Sequence, residues 1–163
     1  MSAEEGVIVY GFACRSFLES RCTIEFTRLT EGVFSTQPKD RVRGVTGEKN
    51  IYSFQNPDSR RNFAYYAHRA APGTYALRRF TAVANNILSV FTVTDAHTDR
   101  PYAPFQVDAG KVHYLGDFTF YTTPFKEEVP VERDENPAAM AAFLKDFPNL
   151  PAERVTRVID FGP

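Results

Sequence analysis

No apolar run in this sequence reaches the roughly 18 residues that a transmembrane helix requires, so a membrane-spanning helix is excluded. The common catalytic signatures are missing too. There is no Gly-x-Ser-x-Gly elbow, no His-Glu-x-x-His pair, no phosphate-cradling Gly-x-x-x-x-Gly-Lys-Ser/Thr loop and no Gly-x-Gly-x-x-Gly fingerprint. Only three histidines occur, His68, His97 and His113, too scattered to make a site. There are two cysteines and two methionines. No catalytic residue, metal ligand set or cofactor is therefore assigned from sequence.

Aromatic residues, by contrast, are abundant. They make up 14% of the 163 residues, and phenylalanine outnumbers leucine. Aromatic and β-branched side chains suit a half-buried pleated surface, so the composition leans toward strands. A chain of this length makes one domain, taken here as residues 1–163. It buries enough surface to fold without a metal or disulfide staple.

The pattern along the chain agrees. Val7-Ile8-Val9-Tyr10-Gly11-Phe12 is a dense apolar run, as in a central strand. Cys22 to Leu29 alternates, with Cys22, Ile24 and Phe26 on one face and Thr23, Glu25 and Thr27 on the other. Residues 30–50 read as a long surface connection with one short strand near Val42–Val45. Strands follow at Ile51–Phe54, Asn62–Ala67, Thr74–Val83, Ile87–Thr94, Tyr102–Val107 and Val112–Tyr121. Pro101 and Pro104 place the Tyr102 strand at an edge. In the Val112 strand, Val112, Tyr114, Phe118 and Phe120 are expected on one face. His113, Leu115, Asp117, Thr119 and Tyr121 are expected on the other, and Gly116 marks a bulge. His113 and His68 read as surface residues. Further strands are expected at Glu127–Val131 and Arg154–Phe161.

Asn136-Pro137 is a helix start, with Asn as N-cap and Pro at the first helical position. The helix, 137–147, carries Met140, Phe143, Leu144 and Phe147 on one stripe. Many short strands with regular turns and one late helix predict a mainly β fold, a single antiparallel β-sandwich of transthyretin-like or immunoglobulin-like kind.

Two units carry a resemblance. Pro72-Gly73-Thr74-Tyr75-Ala76-Leu77 resembles the PGxYxL corner of transthyretin-like and carboxypeptidase regulatory-like β-sandwiches. Ala109-Gly110-Lys111-Val112-His113-Tyr114-Leu115-Gly116-Asp117 resembles a segment of uncharacterised bacterial envelope proteins and lipoproteins. There too a short helix ending in Phe-Pro-x-Leu follows, here Phe147-Pro148-Asn149-Leu150. The resemblance covers roughly residues 62–160 and implies an exported sandwich domain. It supplies no functional residues. The acidic start Met-Ser-Ala-Glu-Glu is unlike a signal peptide. The expected location is the periplasm or cell envelope if a signal peptide has been removed, and the cytoplasm otherwise.

The remaining chemistry lies in a few places. Cys14 and Cys22 could close a disulfide across a hairpin, or stand as two buried thiols. Asp95, His97 and Asp99 alternate and could share a side and ligate a metal, or form an ordinary polar loop at a strand end. Asp117, in a dense aromatic strand, could be a carboxylate buried against an arginine with a shifted pKa, or stand in a structural ion pair or on an exposed face. The net charge of −1 is unevenly spread. Between Ser59 and Thr94 there is no acid, while Arg60, Arg61, Arg69, Arg78 and Arg79 are interleaved with Phe63, Tyr65, Tyr66, Tyr75 and Phe80. Arginine and aromatic side chains on one face could bind an anionic ligand, whether polysaccharide, lipid head group or nucleic acid. The plainer reading puts the rings in the core and the arginines on the solvated side. The function expected first is a non-catalytic envelope domain that acts structurally or by contact with another envelope protein. The alternative is a binding module for an anionic polymer, and a hydrolase comes third.

Overall fold

The computed structural model describes residues 4–16, 20–46, 52–55, 62–84, 90–95, 102–122, 131–150, 153–157 and 159. Among the described residues the chain is mainly β, with two sheets packed face to face and one α-helix. The first sheet contains β1 (Gly6–Ser16), β5 (Tyr52–Gln55), β6 (Asn62–Ala70), β10 (Val112–Thr122), β11 (Val131–Asp134) and β12 (Arg154–Thr156). The second contains β2 (Ser20–Thr30), β3 (Val33–Phe34), β4 (Arg41–Val45), β7 (Gly73–Ala84), β8 (Val90–Asp95) and β9 (Tyr102–Val107). Most pairs are antiparallel. β1 and β12, however, both run parallel to β10.

β1 explains the apolar run at the start of the sequence, because it is buried on both faces. Ile8, Tyr10 and Phe12 face the second sheet and join the main core. Val7 and Val9 face outward, where helix α1 (Pro137–Asp146) covers them with Met140, Phe143 and Leu144. The molecule therefore has three layers, helix on sheet on sheet. Asn136 caps α1 as expected, its side-chain oxygen accepting from the Ala139 amide at 3.0 Å. Phe147 departs from the expected stripe. It is the C-cap residue, beyond the last helical turn, and is exposed, although its ring still lies 4.7 Å from that of Phe143.

Gly116 makes the bulge its place in the strand suggests, and the bulge alters the expected faces of β10. The register of β1 with β10 slips between Val9–Tyr114 and Gly11–Asp117, so β10 spends one extra residue. Gly116 takes it up at φ +106°, a conformation glycine adopts freely. Inward-facing Leu115 is consequently followed by inward-facing Phe118 and Phe120. Val112 and Tyr114 lie under the helix instead of sharing a face with the two phenylalanines. Beside the bulge, β12 and β11 divide the far edge of β10 between them. Arg133 fills the gap, its guanidinium donating to the Leu115 carbonyl at 2.8 Å and the Arg157 carbonyl at 3.2 Å.

β2 is not the hairpin partner of β1. Both edges of β1 are occupied, by β6 and β10, so β2 enters the other sheet. Cys14 and Cys22 are joined as a disulfide with their Cα atoms 6.2 Å apart, and the bond ties one sheet to the other. Residues 30–50 also hold more structure than a surface connection. Glu31 and Gly32, at φ +54° and +81°, turn β2 into β3. Tyrosines press on the other end of this region. A Cβ at Gly44 would stand 2.7 Å from the Tyr10 hydroxyl and 3.1 Å from the Tyr66 ring, so only glycine fits there. Tyr66 donates to the Val45 carbonyl at 2.8 Å and fastens the sheets together. At the Pro72-Gly73 corner, Tyr75 donates to the Ala71 carbonyl at 3.1 Å, bracing the step from β6 to β7. Tyr102–Val107 is β9, which among the described residues pairs only with β7, as Pro104 requires.

Candidate functional site

The most chemically unusual group is the Asp117 carboxylate. It sits on β10 just past the Gly116 bulge, on the helix side of the first sheet, and is 2% exposed. Tyr65 donates to one of its oxygens at 2.5 Å and Tyr114 to the other at 2.7 Å. The Tyr114 hydroxyl in turn accepts from the Asn136 amide at 3.1 Å. The carboxylate thus connects β6, β10 and the start of α1. Burial pushes its pKa above the ordinary carboxylate range. The two phenol hydrogen bonds act against this, and Asp134, its neighbour across the β10–β11 ladder, adds to it. Burial, reinforced by Asp117, pushes both tyrosines far above the usual phenol value. This arrangement can hold a proton and brace a helix. Its partners are two phenols, not the arginine that the sequence suggested.

His113 is fully buried, not a surface residue. Its Nε2 accepts from the Asp108 amide at 2.8 Å, while Arg157 bonds the Asp108 carboxylate at 2.6 Å. Burial lowers its pKa. His68 stacks against Tyr10 and Tyr66 with ring centres 6.0 and 6.3 Å away, and burial lowers its pKa to about 4. Among the described residues no group of histidine, cysteine and acidic side chains is arranged to hold a metal. Asp95 ends β8, whereas His97 and Asp99 lie outside the described residues.

The arginines expected to bind a ligand divide between the sheets. Arg69 is on β6, in the first sheet, opposite Val7. Arg78 and Arg79 are on β7, in the second. Arg60 and Arg61 lie outside the described residues. The interleaved rings of Phe63, Tyr65, Tyr66, Tyr75 and Phe80 are all buried, so they share no open face with the arginines.

A different set of arginines does come together. On β2, inward Cys22, Ile24 and Phe26 leave Arg21, Thr23 and Glu25 on the outer side. On β4 the alternation Arg41-Val42-Arg43 leaves both arginines exposed beside them. On β7 the register slip opposite Glu25 and Phe26 places both Arg78 and Arg79 between the inward residues Leu77 and Phe80. Arg43, Glu25, Arg79 and Asp95 consequently occupy one row across four strands. Arg78 lies 3.9 Å from Glu25 and 5.8 Å from the centre of the Phe34 ring. Arg41 donates to the Thr36 carbonyl at 3.4 Å. The outer face of the second sheet therefore carries Arg21, Arg41, Arg43, Arg78 and Arg79 around Glu25. The polar-apolar alternation of 21–26 and 41–43 was the available signal for Arg21, Arg41 and Arg43. It becomes a face only when β4 is known to pair with β2.

Neither the protein-family models nor the curated proteins contain a match to this sequence. Among the described residues no helix is long and apolar enough to cross a membrane.

Proposed function

We propose that this chain is a non-catalytic interaction domain of the cell envelope. The observation that carries the reading is the use made of Asp117. Its two oxygens are taken by Tyr65 and Tyr114, and Tyr114 also holds the amide at the helix cap. The group with the most catalytic character is spent on docking α1 to the sheet. The outward chemistry is an arginine face, which suits contact with a partner. A disulfide between the sheets suits an oxidising compartment, as outside the cytoplasm.

The test is to express the protein from its own gene in its own host, fractionate the cells and alkylate free thiols before any reduction. The reading predicts recovery in the envelope fraction with Cys14 and Cys22 protected from alkylation. Recovery in the cytosol with both thiols labelled contradicts it. So does turnover of a defined substrate that disappears in a folded Asp117→Asn variant.

A further inference from the structure

We propose that the outer face of the second sheet binds an anionic polysaccharide. This rests on the reading of the chain as an interaction domain and assigns that domain a surface and a ligand class.

Among the described residues this face presents Arg21, Arg41, Arg43, Arg78 and Arg79 around Glu25, an excess of positive charge on one side of one sheet. Every cation on these strand positions is arginine. A guanidinium is a planar fork that bonds carboxylate, sulfate or phosphate through two parallel hydrogen bonds, whereas an ammonium acts as a point charge. The positions are also spaced in a regular way. Arg41 and Arg43 are two residues apart on β4, about 6.7 Å along the strand. Arg43 and Arg79 are two strands apart, about 9.6 Å across the sheet. Fixed cations at such intervals match a ligand whose charges repeat along an extended chain.

Two further features select among polyanions. Thr23 and Thr81, opposite each other on β2 and β7, are both partly exposed on this face. A hydroxyl both donates and accepts, as the hydroxyls of a sugar require. Among the described residues the rings near these strands are turned inward or covered. Phe26, Tyr75 and Phe80 point into the core, and Phe34 is half-buried beside Arg78. Single-stranded nucleic acid is held by stacking its bases on open aromatic side chains, so this face favours a glycan. Its arginines also start from neighbours on the sheet, Arg41 from Thr36 and Arg78 from Glu25, unlike the loose polybasic segments that gather at anionic lipid.

The experiment measures binding of the whole chain to polygalacturonate by calorimetry at two salt concentrations. Dextran, a single-stranded DNA oligonucleotide and phosphatidylglycerol vesicles serve as comparison ligands. The expected result is binding to polygalacturonate that weakens with salt, no binding to dextran, and weaker binding to DNA and vesicles. Arg41→Gln/Arg43→Gln should weaken polygalacturonate binding at least tenfold and flatten its salt dependence. Arg69→Gln/Arg154→Gln removes the same charge from the first sheet and should change it less than twofold. Thermal melts of both double variants establish that they are folded. Arg43→Glu alone, at an exposed position, gives a second reading of the same face. No binding, equal losses in the two double variants, or tighter binding to DNA or vesicles overturns the proposal. Envelope recovery with an oxidised disulfide would in that case leave the broader reading standing.

Discussion

Tyr65 and Asp117 lie two strands apart, and the hydrogen bond between them passes over β1 at Gly11. Tyr65 is the register partner of Gly11 on one side and Asp117 its partner on the other. The missing side chain leaves room for the phenol to reach the carboxylate. A Cβ at Gly11 would stand 2.8 Å from the carboxylate carbon and 2.9 Å from the Tyr65 ring. Gly11→Ala should therefore lower unfolding free energy by about 2–4 kcal/mol, from overpacking and a lost buried hydrogen bond. Tyr65→Phe, which removes only the hydroxyl, should lose about 1–3 kcal/mol. Urea unfolding at neutral pH checks both. A Gly11→Ala variant as stable as the parent would show that the network does not brace the fold.

His68 makes stability depend on pH. Its folded pKa, about 4, is depressed from 6.5 because the half-buried imidazole is desolvated beside Tyr10 and Tyr66. The unfolded chain thus binds the proton more readily than the folded one. The contribution to stability is complete above pH 6.5 and is lost as the pH falls from 6.5 through 4. That depression corresponds to at most about 3.4 kcal/mol, and partial exposure of the ring reduces this to about 2. Urea titrations at pH 7.5 and 4.5 should show that His68→Phe removes a loss of this size. An unchanged pH dependence in the variant contradicts the assignment.

The β2–β3 turn contains an avoidable strain. Glu31 and Gly32 both have positive φ, as a two-residue hairpin turn of type I′ requires, and glutamate is a poor occupant of that region. Glu31→Asn or Glu31→Gly should raise stability by about 0.5–1 kcal/mol. Thermal melts of the two variants test this, and a drop in midpoint for both would count against the turn.

The disulfide restrains the unfolded chain over a short loop. Cys14 and Cys22 are eight residues apart, which corresponds to about 2.5 kcal/mol of loop-closure entropy at 25 °C. Cys14→Ser/Cys22→Ser should lose about that much in urea unfolding. Reduction of the parent protein should lower its stability by a similar amount. A variant as stable as the oxidised parent would contradict the bond.

Much of the fold was legible in the sequence because each element carried its own local signal. Alternation marked β2, the Pro72-Gly73 corner began β7, Pro104 placed β9 at an edge, and Asn136-Pro137 opened α1. What sequence reasoning misplaced depends on contacts between distant segments. The Gly116 bulge was visible as a glycine, but the phase change it imposes on Asp117 and Phe118 follows from the register with β1. The reach of Tyr65 over Gly11 needs β6, β1 and β10 side by side. His113 has no local mark of burial, since its cover comes from Asp108 and Arg157. The arginine face misled for a related reason. Charge density along the chain pointed to residues 60–79, whereas the face gathers Arg21 and Arg41–Arg43 through the pairing of β2 with β4 and β7.

We propose that this domain works through the outer face of its second sheet. Backbone amide NMR during titration with polygalacturonate tests it most directly. The largest shift changes should fall on β2, β4 and β7, at and around Thr23, Glu25, Arg43 and Arg79. Changes centred instead on β6, β10 and α1 would contradict it.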